Sequence, residues 1–177
     1  MTRPTIKLSL SIDEFDETPF LDVLERCHEK GILFRTITEL GDGKENRQRL
    51  YELNKVCSID IPGRGEFFSY EEFCERRYGP TYDPAGVFIA ISEDEWVGMT
   101  ATSNHQDRGF AFNEMTGVLR DFRRMGIAVS LKILSIGYAK QLPVKRVYTI
   151  HDFENTAAID MNKRLGYKEI VNFEPGT

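Results

Sequence analysis

The sequence predicts a mixed α/β fold, an α+β arrangement in which a sheet of six or seven strands is flanked by about four helices. Three observations carry this. Residues 5–12 alternate apolar and polar positions; residues 87–119 carry three strand-like runs joined by short polar connections; and residues 126–173 change to helix, strand, helix, strand.

In chain order, Ile6, Leu8, Leu10 and Ile12 share one face of a half-buried strand, and Asp13 to Pro19 break the pattern. Phe20, Val23, Leu24 and Cys27 are spaced as one face of a helix that Gly31 ends, and Ile32 to Leu40 return to strand chemistry. Gly41-Asp42-Gly43 opens a helix through about Cys57, and Asp60-Ile61-Pro62-Gly63 closes the stretch. Ser69 and Glu72 form a capping box at the start of a helix that reaches Arg77. Val87 to Ser92, Glu95 to Ser103 and Gly109 to Leu119 have the spacing of a meander. A helix over Gly126 to Gln141, a strand over Lys145 to His151, a helix over Asn155 to Leu165 and a strand over Gly166 to Phe173 follow. A strand, helix, strand sequence of this kind implies a parallel pair with a right-handed crossover. Residues 1–31 read as an N-terminal strand-helix extension and 32–177 as the principal domain.

Composition narrows the function. With 23 Lys and Arg against 28 Asp and Glu the net charge is −5, which disfavours a nucleic acid as partner. Cys27, Cys57 and Cys74 lie 30 and 17 residues apart, with no spacing that suggests a zinc site or a redox pair, so reduced structural thiols and no metal are expected. Met1 to Asp16 lacks the pattern of a signal peptide, and the longest clean apolar run, residues 87–91, is too short for a bilayer. The expectation is a cytoplasmic protein without a membrane partner.

Residues 116–128 hold the chemistry: a strand runs through a basic turn directly into a helix. Gly126 and Ala128 let the backbone approach a ligand, and the helix N terminus offers unpaired N–H groups and a positive dipole end, as a pyrophosphate requires. Ile127, Leu131, Leu134 and Tyr138 then fall at helical spacing and anchor that helix in the core.

The run Arg123-x-x-Gly126-x-Ala128, after a strand ending in Val118, resembles the acetyl-coenzyme A motif of the GNAT superfamily of N-acetyltransferases. Asn155, 29 residues after Gly126, starts a second block that continues through Ala158, Leu165, Gly166 and Tyr167 and is similar to the family's Asn-x-x-Ala…Leu-Gly-(Phe/Tyr) signature. Residues 37–40, 51–53 and 60–62 look like the lead-in to the C-terminal unit of tandem GNAT proteins of the mycothiol-synthase-like branch.

The resemblance implies a strongly bent mixed sheet, acetyl-coenzyme A as co-substrate, and transfer to a primary amine of a small molecule or peptide in a ternary complex. Thr116, Gly117 and Val118 would offer backbone groups to the pantetheine arm, Arg123, Arg124, Met125, Gly126, Ile127 and Ala128 would wrap the pyrophosphate, and Asn155 would hydrogen-bond the arm. A backbone N–H near Val118 would hold the developing oxyanion. Glu114 is the candidate base, read as sharing a strand face with Thr116 and Val118. Asn162 stands where many relatives have a tyrosine acid, and a carboxamide offers no practical proton. A non-catalytic acyl-coenzyme A-binding module is therefore the alternative reading.

The rest of the chain gives secondary expectations. The family's usual last strand would follow residues 166–173, so strand 5–12 is expected to fill the missing edge position, within the chain or swapped in a homodimer, or else to be an ordinary edge strand on its own sheet. Tyr70, Phe73, Tyr78 and Tyr82 lie where family members form the acceptor wall; most are read as packing, while the interleaved Glu71, Glu72 and Glu75 suit a cationic amine. Gly41-Asp42-Gly43-Lys44 imitates a dinucleotide fingerprint but has Asn46 where a third glycine belongs, and reads as a turn. His105 and His151 lack a clustered third ligand; His151, at a strand end beside the slot, is a candidate substrate contact.

Overall fold

The computed structural model describes residues 3–173. Its seven strands form one mixed sheet: β1 (Thr5–Ser11), β2 (Ile32–Thr36), β3 (Val87–Ser92), β4 (Glu95–His105), β5 (Phe110–Val118), β6 (Arg146–Asp152) and β7 (Lys168–Ile170), in the order β2-β3-β4-β5-β6-β1-β7. All neighbours run antiparallel except β5 and β6, which are parallel. The helices are α1 (Leu21–Glu29), α2 (Ile37–Leu40), α3 (Lys44–Ser58), α4 (Tyr70–Arg77), α5 (Ile127–Ala139) and α6 (Thr156–Arg164).

The apolar periods of the sequence decide the layering. Leu8, Leu10 and Val147 turn to one face, where Ile133 and Ile136 of α5 and Met161 of α6 meet them. Cys27 of α1 packs on the same side with Ile127 and Leu131 of α5. Met99 and Met115 turn to the other face, against Leu50, Leu53 and Cys57 of α3 and Phe73 of α4. Gly117 is required by this second layer, because a Cβ there would lie 2.6 Å from Cys57 Cβ.

Strand 5–12 joins the sheet within its own chain, paired with β6 over seven positions and with β7 over three. Its place is interior, and the edge falls to β7, which is shorter than residues 166–173. The expected strand over Ile32 to Leu40 stops at Thr36, whose hydroxyl accepts from Glu39 N–H while the Glu39 carboxylate accepts from Thr36 N–H. That capping box turns the chain into α2.

Candidate active site

The parallel pair is short. β5 and β6 are paired only from Phe110–Arg146 to Phe112–Tyr148, although β5 runs on to Val118 and β6 to Asp152. Beyond Phe112 the two strands part and leave a fork. Leu119 N–H donates to Val97 O at 2.8 Å, which assigns the odd-numbered positions at this end of β5 to β4. By alternation the N–H and C=O groups of Thr116 and Val118 face the gap. The Val118 carbonyl is taken by Arg123 Nε at 3.0 Å, so Thr116 and the Val118 N–H are what the fork offers.

The chain leaves β5 and enters α5 through a strained turn. Arg124 has φ 63° and Gly126 φ 87°, both left-handed. A Cβ on Gly126 would lie 2.8 Å from Val23 Cγ1 of α1, so glycine is needed both for the conformation and for α1 to close on the turn. Ile127 and Ala128 open α5 with no side-chain cap, and their N–H groups have no intrahelical acceptor. Met125 O instead accepts from Cys27 Sγ at 3.4 Å, which ties the turn to α1. Arg120 and Arg123 are both engaged by Asp60, Arg120 Nε at 2.9 Å and Arg123 at 2.9 Å, and together they hold its carboxyl well below the usual range. Arg124 is exposed and has no such partner among the described residues.

Across the fork, Asn155 precedes α6 with its side chain uncommitted among the described residues. Asn162 is different. It is buried, its Nδ2 donates to Ala158 O and to His151 Nε2, each at 2.9 Å, and its Oδ1 has no partner among the described residues. Burial and the nearby Lys132 push the His151 imidazole down to about 4, so it stays neutral. Asn162 and His151 thus face each other on the α5 side of the sheet.

Glu114 departs from expectation. The β4 and β5 register shifts between Ala101–Met115 and Thr102–Asn113, so Glu114 is the extra residue of a β-bulge. The bulge breaks the alternation. Thr116 Oγ1 bonds Thr100 and Asn113, and Val118 packs on Ile127 and Leu131, both on the α5 face. Glu114 turns to the opposite face, where its Oε2 accepts from Arg77 at 3.0 Å. Arg77 is nearly buried and holds one carboxylate oxygen; Oε1 has no partner among the described residues. Glu114 lines a cavity of ≈ 340 Å³ with Phe110, Phe112 and Phe173.

Of the aromatic residues read as an acceptor wall, Phe73 is core and Tyr70, Tyr78 and Tyr82 are partly buried and packed against it. Tyr51, Phe73, Tyr78 and Tyr82 pack edge to face between α3 and α4, and the cation they receive is the chain's own Arg47, 4.0 Å from the Tyr78 ring. Glu72 caps α4, and Glu71 and Glu75 are exposed. Asp42 pairs with Arg47, consistent with a turn at Gly41 to Gly43. No cluster of three or more His, Cys, Asp or Glu able to hold a metal occurs among the described residues, and no helix there is long and apolar enough to cross a membrane.

Sequence reading missed Asn113, Lys132, Thr149 and Arg77. One signal was available for Lys132: the rest of α5 is apolar or small almost all round, and such a helix is covered on every side.

A forked parallel pair beside a glycine-opened helix N terminus defines an acetyltransferase-type fold. The family model described as the acetyltransferase (GNAT) family matches residues 47–167, and the chain belongs to that family. Among curated proteins it is similar to the mycothiol acetyltransferase of Streptomyces griseus subsp. griseus, 26% identical over 149 residues that make up 83% of this chain and 46% of that protein. It is 30% identical over 117 residues to the mycothiol acetyltransferase of Streptomyces avermitilis, covering 65% of this chain and 37% of that one. The chain therefore spans about half the length, or less, of these relatives. Among solved structures, a GCN5-related N-acetyltransferase from Sphaerobacter thermophilus matches with TM-score 0.67 at 19% identity, over 95% of this chain and 49% of that chain. A tandem GNAT protein from the clavulanic acid biosynthesis pathway matches with TM-score 0.63 at 18% identity, over 96% and 51%. The curated likenesses agree with the mycothiol-related branch that the sequence suggested, and the solved structures with its fold.

Proposed function

We propose that this chain transfers an acetyl group from acetyl-coenzyme A to a primary amine by direct attack in a ternary complex. The observation that carries the reading is the fork: β5 and β6 separate after Phe112 and Tyr148, directly ahead of the turn that opens α5. Unpaired groups on the β5 edge suit an extended, amide-bearing arm, and the free N–H groups of α5 with the exposed Arg124 suit a pyrophosphate. Asn155 is free to bond the arm from the other side. The residues present fit the co-substrate, which supplies an activated acetyl thioester.

Within this reading Glu114 is the base. Arg77 fixes one of its oxygens and leaves Oε1 to take the ammonium proton. The amine nitrogen then bonds the acetyl carbon, the C–S bond breaks, and the thiolate leaves. The Val118 N–H faces the gap in which oxyanion charge would develop. Asn162 is buried and committed to His151, so the thiolate takes its proton from solvent.

Thiol release from acetyl-coenzyme A in the presence of a panel of amines tests the proposal. Amine-dependent release that Glu114→Gln suppresses supports it. Binding of acetyl-coenzyme A without release against any amine would favour a non-catalytic binding module.

A further inference from the structure

The cavity beside Glu114 has a largely aromatic wall. Phe112 and Phe173 meet edge on with centroids 6.1 Å apart, and His105 stacks on Phe110 at 4.7 Å with the planes only 13° apart. Ser103 bonds His105 Nε2 at 2.9 Å, and burial lowers the His105 imidazole's affinity for a proton, so this ring joins the wall as a neutral aromatic. The side-chain charges at the cavity are the Glu114 carboxylate and the Arg108 guanidinium, which lies 5.2 Å from the Phe110 centroid. Phe112 is also the last paired residue of the fork, so the cavity abuts the point where β5 and β6 separate, on the face away from α5.

Resting on the acetyltransferase reading, we infer that this cavity is the acceptor site and that it selects a singly charged amine carried on an aromatic or branched apolar body. Glu114 receives the ammonium group. Phe110, Phe112 and Phe173 remove the body from water, which a sugar or polyol would resist because Thr81, Ser103 and Arg108 offer too few polar groups to replace the hydration of several hydroxyls. Arg108 repels a second positive charge, and Arg77 already neutralises part of the Glu114 carboxylate from behind, which acts against polyamines. At ≈ 340 Å³ the cavity has room for one small molecule of this kind.

The test compares phenethylamine, glucosamine and spermidine as acceptors for the full chain, with thiol release as readout and acetyl-coenzyme A thermal protection measured in parallel. Phenethylamine is expected to exceed both others in kcat/KM by about tenfold or more. Phe112→Ser should remove most of that advantage, through KM, while thermal protection by acetyl-coenzyme A is unchanged. Equal use of glucosamine or spermidine, or an equal loss for all three amines in Phe112→Ser, overturns the acceptor class and leaves the acetyltransferase reading standing. Thermal protection with no turnover of phenethylamine also overturns the class. No protection by acetyl-coenzyme A would defeat the underlying reading itself.

Discussion

Lys132 Nζ donates to Asn113 Oδ1 at 2.9 Å, with the lysine 1% exposed and the asparagine 3%. Asn113 is the first residue of β5 beyond its pairing with β6. Its Nδ2 reaches Thr100 and Thr102 of β4, its Oδ1 also accepts from Thr116, and its backbone carbonyl accepts from Thr149 of β6 at 3.1 Å. The carboxamide therefore joins α5, β4 and β5, and the backbone carbonyl of the same residue adds β6, where the sheet splits. The Tyr167 ring centroid lies 4.7 Å from Nζ.

Removing Asn113 takes from the buried amine its hydrogen-bond acceptor among the described residues and leaves it an aromatic face. Asn113→Ala is expected to destabilise the fold by about 3 kcal/mol, because the lost bond is to a group that ionises and its partner cannot reach water. Chemical denaturation measures this. A loss below about 1 kcal/mol would mean that water replaces the carboxamide.

Burial lowers the Lys132 amine from 10.5 to about 7. Below about pH 7 both the folded and unfolded chains hold the proton, and the cost of burying charge is fully present. Between about 7 and 10.5 the unfolded chain binds a proton that the folded chain does not, so this group makes stability rise with pH, by about 1.4 kcal/mol per pH unit where the difference is complete. Lys132→Met should flatten the rise. The groups facing Lys132 are His151, neutral in this range, and Tyr167, whose phenol burial pushes above its usual value. His151, lowered to about 4, acts in the same direction on the acid side: its contribution is lost as pH falls from 6.5 toward 4.

The turn into α5 gives a third expectation. Gly126→Ala meets both a left-handed backbone and Val23 at 2.8 Å, so it should cost about 1–2 kcal/mol and weaken acetyl-coenzyme A binding. Isothermal titration separates the two effects. Unchanged affinity in the folded variant would show that the turn is not part of the cofactor seat.

Glu114→Gln is expected to lower kcat by about 100-fold or more while leaving acetyl-coenzyme A affinity unchanged. The variant keeps an oxygen that can accept from Arg77. A kcat within a few-fold of wild type would assign Glu114 to acceptor binding alone.

Much of this architecture was legible because its signals are local. Alternation in residues 5–12, the Ser69 and Glu72 capping box and the Arg123 to Ala128 turn are each contained in one short stretch. What escaped depends on pairs of elements. The face of Glu114 was misread because a bulge is a mismatch between two strands, and counting along β5 alone cannot reveal it. Tyr78 and Tyr82 stay ambiguous in the sequence because a ring that fills the gap between two helices has the same spacing as one that lines a cleft. The cavity inferred to take the acceptor is lined by Phe110, Phe112 and Phe173, from β5 and the segment after β7, which are far apart in the chain. Strand β1 was foreseen, but its insertion between β6 and β7 follows from a register that neither strand carries alone.

Thermal unfolding with and without acetyl-coenzyme A, in the wild type and in Arg124→Glu, tests the central claim most directly. Arg124 is exposed, so the substitution should leave the fold intact. At a ligand concentration a hundred times its dissociation constant the wild type should gain about 2.7 kcal/mol, and Arg124→Glu should lose most of that gain. An unshifted wild-type transition, or a shift of equal size in the variant, would contradict the assignment of the fork and the α5 N terminus as the acetyl-coenzyme A seat.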